Sequence, residues 1–194
     1  MIKMKKISAL ILLIAGLLCV FFSGWKILKG QHSQVVALQQ AKELSQINPL
    51  KKNEIKRAVQ PVDKNILGIL NVPALNAELP IIEGTSDEQL KKGVGHFLKS
   101  ALPGKKDQIV LSGHRDTVFR RFGELKKGDS LLVTFQGKIF TYIVDRTKVV
   151  DAEDRTIIHS TSPKEELVLT TCYPFHFIGN APNRYIIYAY PKST

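Results

Sequence analysis

The chain has 194 residues, 44% of them hydrophobic and 23% charged, which excludes a disordered polymer and suits one globular domain with a tail. Its 28 Lys and Arg against 17 Asp and Glu leave a net charge of +11. With no long basic helix and no zinc-type Cys/His spacing, that sign points to an anionic surface such as a membrane or cell wall rather than to nucleic acid.

The first element is apolar. After MIKMKK the run Ile7–Trp25 carries no charge. At about 1.5 Å per helical residue it spans the roughly 30 Å hydrocarbon core of a bilayer. Lys3, Lys5 and Lys6 precede it, and Trp25, Lys26 and Lys29 close it. Positive charge at the start predicts a cytoplasmic N-terminus over 1–6, a transmembrane signal-anchor over 7–28 and an extracellular remainder on the cell membrane. A cleaved signal peptide is the weaker reading. Its apolar region is usually about 7–15 residues, and FFSGW offers no A-x-A pattern. Cys19 is a poor lipoprotein site, because Leu18 stands where a small residue is wanted.

Residues 29–60 read as a polar stalk, with a helix expected over 33–47 and ended by Pro49. From residue 61 to 194 the pattern changes to short apolar runs bounded by Gly, Pro, Asn or Asp. These are ILGIL (66–70), LPIIE (79–83), QIVLSG (108–113), LLVTF (131–135), IFTYIV (139–144), ELVLTT (166–171) and RYIIYAY (184–190). Each has the length and composition of a strand, and Gly137 marks a hairpin turn between two of them. SDEQLKK (86–92) reads as one short helix capped by Ser86 or Asp87. The fold class is therefore all-β, a barrel or sandwich of seven or eight strands with short helices.

Two residues far apart in the chain are the only cysteines, Cys19 and Cys172. They make no disulfide framework, and outside the cell Cys172 is a free thiol worth examining as a reactive group. Taken alone, a Cys behind an apolar strand is as well explained as a small core residue. A nucleophilic thiol needs an acid or base within reach and a donor for the developing oxyanion. His114 sits in IVLSGHRDT, where an apolar strand opens into polar residues. Arg184 starts the strand RYIIYAY, one loop beyond Cys172. If ELVLTTC and RYIIYAY pair antiparallel, Cys172 and Arg184 come together. His32 falls in the stalk, and His96, His159 and His176 in loop-like settings, where packing or surface roles are expected.

LVLTTC closely resembles the T-L-x-T-C signature of sortases. LSGHRDT resembles their histidine segment and NRYIIYA their arginine strand, in the same order and behind the same kind of anchor. The resemblance covers residues 61–194. It implies an eight-stranded sortase-type β-barrel with Cys172 as nucleophile, His114 as general acid and base, and Arg184 as oxyanion stabiliser. It also implies that Thr171 shapes the site. GVGHF, ALPG and GHRDTVFR look most like class D. The implied chemistry is transpeptidation. An LPxT(G/A)-type sorting signal is cleaved after Thr, and the surface protein or pilin passes to an amino group of a peptidoglycan precursor. No cofactor is required. Calcium is possible at Asp151, Glu153, Asp154, Glu165 and Glu166, although a solvated acidic rim explains them better. Asp116 is expected at the surface rather than orienting His114.

Residues 151–166 are the expected source of the sorting-signal pocket, with Ile157 and Ile158 as its candidates. Tyr173, Phe175 and Phe177 are expected to form an apolar cover over the thiol. Two rival functions remain open at this point. One is a cysteine peptidase that hydrolyses the same signal, and the other is a non-enzymatic wall-binding β-domain with a buried, unreactive Cys172. A papain-like enzyme is disfavoured because it runs Cys before His. An L,D-type transpeptidase is disfavoured because its S-H-G-C-x-R segment is missing.

Overall fold

A computed structural model describes residues 2–46, 64–175 and 179–192. Helix α1 runs from Ile2 to Gln46, and eight strands follow it: β1 (Ile66–Val72), β2 (Ala77–Glu83), β3 (Val94–His96), β4 (Gln108–Ser112), β5 (Ser130–Phe135), β6 (Lys138–Asp151), β7 (Glu166–Tyr173) and β8 (Asn183–Pro191). A short helix α2 (Asp87–Lys92) lies between β2 and β3, with Ser86 at its N-cap. The strands close into a barrel in the order β1-β2-β3-β4-β7-β8-β6-β5. The barrel expected from the apolar runs is thus present. The hairpin turn is Gln136–Gly137, with φ of 50° and 74°, the two left-handed residues that a tight turn between twisted strands demands.

The inward-facing side chains fill the barrel. Leu70, Leu111, Leu131, Tyr142, Leu167 and Ile187 are at most 1% exposed and belong to one cluster. Alternation along each strand sends the intervening residues outward. On the outside of β4, β7, β8 and β6 a second cluster joins Val110, Val150, Val168, Ile186 and Tyr188 to Ile157 of the β6–β7 loop.

The helix differs from expectation in continuity and in partner. Anchor and stalk are one helix through residue 46, and its last turns are not a solvated spacer. Ala37 and Ala41 pack against Ile66, Ile69 and Ile82 of β1 and β2. Ser33 and Gln34 donate to the Lys91 carbonyl of α2, and Lys42 pairs with Glu78. The lysine is what holds the Glu78 carboxyl below its ordinary value. Small residues four apart let the helix approach the barrel closely. Pro49 and the rest of the expected linker lie outside the described residues. Among the described residues no helix is long and apolar enough to cross a membrane.

Candidate active site

Two pairings assemble the cleft. β7 and β8 run antiparallel with Cys172 directly opposite Arg184. β4 and β7 run parallel with Ser112 level with Thr170. Continuing that register brings His114 level with Cys172. The join is fixed by two hydrogen bonds: the Gly113 N–H donates to the Thr170 carbonyl at 3.2 Å, and the Thr171 hydroxyl donates to the Gly113 carbonyl at 2.7 Å. Thr171 is 5% exposed and faces inward, so alternation turns Cys172 outward.

His114, Cys172 and Arg184 line one cleft of about 280 Å³. All three are half-buried. Neither the His114 ring nor the Cys172 thiol has a hydrogen-bond partner among the described residues, which leaves both available to a substrate. Arg184 donates through Nη1 to the carbonyls of Ala181 (3.3 Å) and Asn183 (3.1 Å). Its Nε and Nη2 donors have no partner among the described residues. Asp116 is exposed at the cleft edge and makes no bond to His114. The cleft thus carries two guanidiniums, Arg115 and Arg184, and a histidine against one carboxylate. Such a setting favours a developing oxyanion.

Sequence reasoning missed Arg115. Its Nη1 donates to the Pro174 carbonyl at 3.2 Å and its Nη2 to the Gly179 carbonyl at 2.7 Å, clasping both ends of the loop after Cys172. The only signal was an Arg next to His114. A planar fork of donors suits exposed loop carbonyls. The aromatic cover is also corrected. Tyr173 and Phe175 do not line the cleft. They pack on Tyr185, with centroid separations of 5.9 and 5.2 Å. Phe177 and His176 lie outside the described residues.

The remaining candidates separate cleanly. Ile157 is 7% exposed and packs on the outer face of the barrel, in line with the cleft. Its neighbour Ile158 is 40% exposed and takes no part in that cluster. His96 is a buried structural residue rather than a surface one. Nδ1 meets Glu83 at 2.8 Å and Nε2 meets the Ala101 carbonyl at 2.9 Å. His32 and His159 are exposed.

The five acidic candidates for calcium are dispersed. Asp151 and Asp154 accept from the backbone of Glu153 and Thr156. Glu165 accepts from the Tyr142 hydroxyl at 2.6 Å. Burial, with that carboxylate, pushes the Tyr142 hydroxyl far above its ordinary value. Glu166 is held by Gln108 and Tyr190. Among the described residues no three His, Cys, Asp or Glu side chains converge to hold an ion.

The comparisons with known proteins bear on the family and the fold. The sortase-domain profile matches residues 70–192. Sortase D of Bacillus subtilis is 45% identical over 193 residues, spanning 95% of this chain and 98% of its own. The chain belongs to the sortase family. Sortases are cysteine transpeptidases, and this sortase is most like class D. Among solved structures, a Clostridium perfringens Sortase D5 transpeptidase shares the fold with a TM-score of 0.69 at 22% identity, covering 84% of this chain and 99% of its own. Sortase A from Corynebacterium diphtheriae superposes with a TM-score of 0.63 at 24% identity, covering 85% of this chain and 85% of its own. A closed eight-stranded sortase barrel is therefore what the described strands form.

Proposed function

We propose that this sortase is a membrane-anchored transpeptidase that cleaves LPxT(G/A)-type sorting signals after Thr. It passes the surface protein to an amino group of a peptidoglycan precursor. The observation that carries the reading is the registered pair Cys172 and Arg184 in one cleft with His114, whose ring has no partner among the described residues. The Cys172 thiolate attacks the Thr carbonyl carbon, forming a C–S bond and an oxyanion beside Arg184. As the C–N bond breaks, His114 gives its proton to the departing Gly or Ala amine. The incoming amine then attacks the thioester, His114 takes its proton, and the thiolate leaves. No step draws on a metal or cofactor. Anchoring is supported by α1, where Leu13, Leu17, Phe21 and Trp25 are all exposed. A run of apolar side chains that faces no protein suits a bilayer.

The test is mass spectrometry of the full chain in detergent with a set of LPxT(G/A) peptides, with and without an added amine. An adduct on Cys172 that the amine discharges as the ligated peptide is expected. Discharge to water at a rate no amine alters would make the protein a peptidase. The absence of any adduct would favour a binding module.

The outer face leading away from Cys172 also sorts the two isoleucines. Ile157→Asp is expected to lower Tm, since a buried Ile contributes about 1.5–3 kcal/mol to folding, and to raise KM for a sorting peptide severalfold by loosening the face on which it packs. Ile158→Asp should change KM less than about twofold, as surface substitutions usually do. Equal effects would move the pocket away from this face.

A further inference from the structure

A second hollow, of about 400 Å³, opens on the outside of the barrel where β6, β8 and the β6–β7 loop meet. It lies in line with the cleft. The outward residues of β7 and β8 step away from the nucleophile in registered pairs, Cys172 with Arg184, Thr170 with Ile186, and Val168 with Tyr188. The next outward residues, Glu166 and Tyr190, are joined by a 2.8 Å hydrogen bond and form part of the hollow's lining. From residue 172 to 166 is about 20 Å at about 3.3 Å per residue.

The charge of this hollow is unbalanced. Its lining holds three permanent cations, Arg146, Lys148 and Lys164, against the single carboxylate of Glu166. Glu166 is 6% exposed in its side chain and already satisfied, by Gln108 at 3.0 Å, by Tyr190, and by Arg146 at 3.9 Å. Arg146 is also spoken for. Its guanidinium lies 4.2 Å over the Tyr188 ring and donates to Tyr190 at 2.9 Å and to Asp145 at 3.2 Å. The lysines are less committed: neither forms an ion pair within 4 Å among the described residues, although the charge of Lys148 acts on Asp154, whose carboxylate also accepts from Thr156 at 2.6 Å. The exposed His159 stands on the same rim. A hydrogen-bonded floor with two lysines outside any close ion pair above it suits a carboxylate.

We propose that this hollow is a subsite for an acidic side chain of the client protein, about five to seven residues upstream of the cleaved Thr. The inference rests on the proposed transpeptidase reading. An extended peptide advances at the same rise as β7, about 3.3 Å per residue. With its Thr carbonyl at Cys172, the sorting-signal Leu falls about 10 Å away, over the Ile157 cluster. The residues before the signal then reach Lys148 and Lys164. Specificity would therefore extend beyond the sorting signal into the stalk of the client.

The test compares three peptides that share one LPxT(G/A) signal and carry Glu, Gln or Lys six residues before the Thr, acylating the full chain in detergent at low salt. The Glu peptide is expected to have a KM about three- to tenfold below that of the Gln peptide, with equal kcat. The Lys peptide should be worse than both, and the differences should shrink at high salt. In the Lys148→Gln/Lys164→Gln variant the Glu-to-Gln ratio should fall to about one. A ratio within one variant is unaffected by its folded fraction. Equal KM values for all three peptides would overturn the subsite. So would a Glu preference that survives the double variant. If the double substitution instead weakens binding of inorganic polyphosphate and leaves the peptide ratio untouched, the hollow holds a wall polymer and the proposal fails. Absence of acylation by every peptide would fault the transpeptidase reading itself, which is a different result.

Discussion

Arg184→Lys is expected to lower kcat for sorting-peptide cleavage by about 10²–10³-fold with KM nearly unchanged, and Cys172→Ala to abolish the acyl-enzyme altogether. The first figure is the usual cost of losing one preorganised oxyanion donor. Lysine keeps the positive charge and tests the fork instead. Arg184 spends Nη1 on the carbonyls of Ala181 and Asn183, and its Nε and Nη2, beside Cys172, have no partner among the described residues. A single ammonium cannot hold the loop and meet the oxyanion at once. The two roles separate by readout. If Arg184 serves only the loop, the Lys variant would raise KM and lower Tm while kcat stays within about threefold of wild type. That outcome would remove Arg184 from the chemistry. Cys172→Ala, at a half-buried position, should leave Tm close to wild type while activity vanishes.

The logic of the cleft is that no side chain needs to be brought in by a flexible segment. Cys172 and Arg184 are cross-strand neighbours, and His114 follows β4 directly. Rigid strands hold reacting groups more closely than loops do, which is where orientation gains arise. The cleft also has irregular walls, the segment after β4 and the loop after Cys172, and Arg115 of the first holds Pro174 and Gly179 of the second.

How much of this was legible depends on how local each cause is. β1, β2, β4, β5, β7 and β8 announce themselves because each buries an apolar run. β3 does not: Val94–His96 is very short, and it is a strand because β2 and β4 flank it on either side. The second half of β6 is equally hidden. Its Arg146–Val149 side chains face solvent, and its strand character comes from β8, much later in the chain. The Cys172–Arg184 pairing was readable, since two strands joined by one loop pair antiparallel by default. The level placement of His114 was not, because it comes from a parallel pairing between β4 and β7, two strands far apart in the chain. The docking of α1 escaped for a different reason. Ala37 and Ala41 are small, so the face they make carries little apolar signal.

That parallel join sets the second large expectation. Thr171→Val should lower Tm by roughly 3–10 °C and kcat by at least about tenfold, while Thr171→Ser should restore most of both. Valine matches threonine in shape but cannot donate, so the buried Gly113 carbonyl loses its 2.7 Å partner. An unsatisfied buried acceptor costs about 1–3 kcal/mol, which in a chain of this size converts to a Tm shift of that order. The catalytic loss has a separate origin. Gly113 is the residue before His114, and the Thr171 hydroxyl is what ties it to the strand that carries Cys172. Gly113→Ala attacks the same join from the other side. A Cβ there would sit 2.7 Å from the ring of Phe119, which is 1% exposed and has nowhere to move. Both variants should therefore slow acylation in proportion to His114 displacement, seen as a fall in kcat with KM for the peptide held. A lowered Tm with wild-type kcat in both would mean that the clasp stabilises the barrel without setting the acid and base.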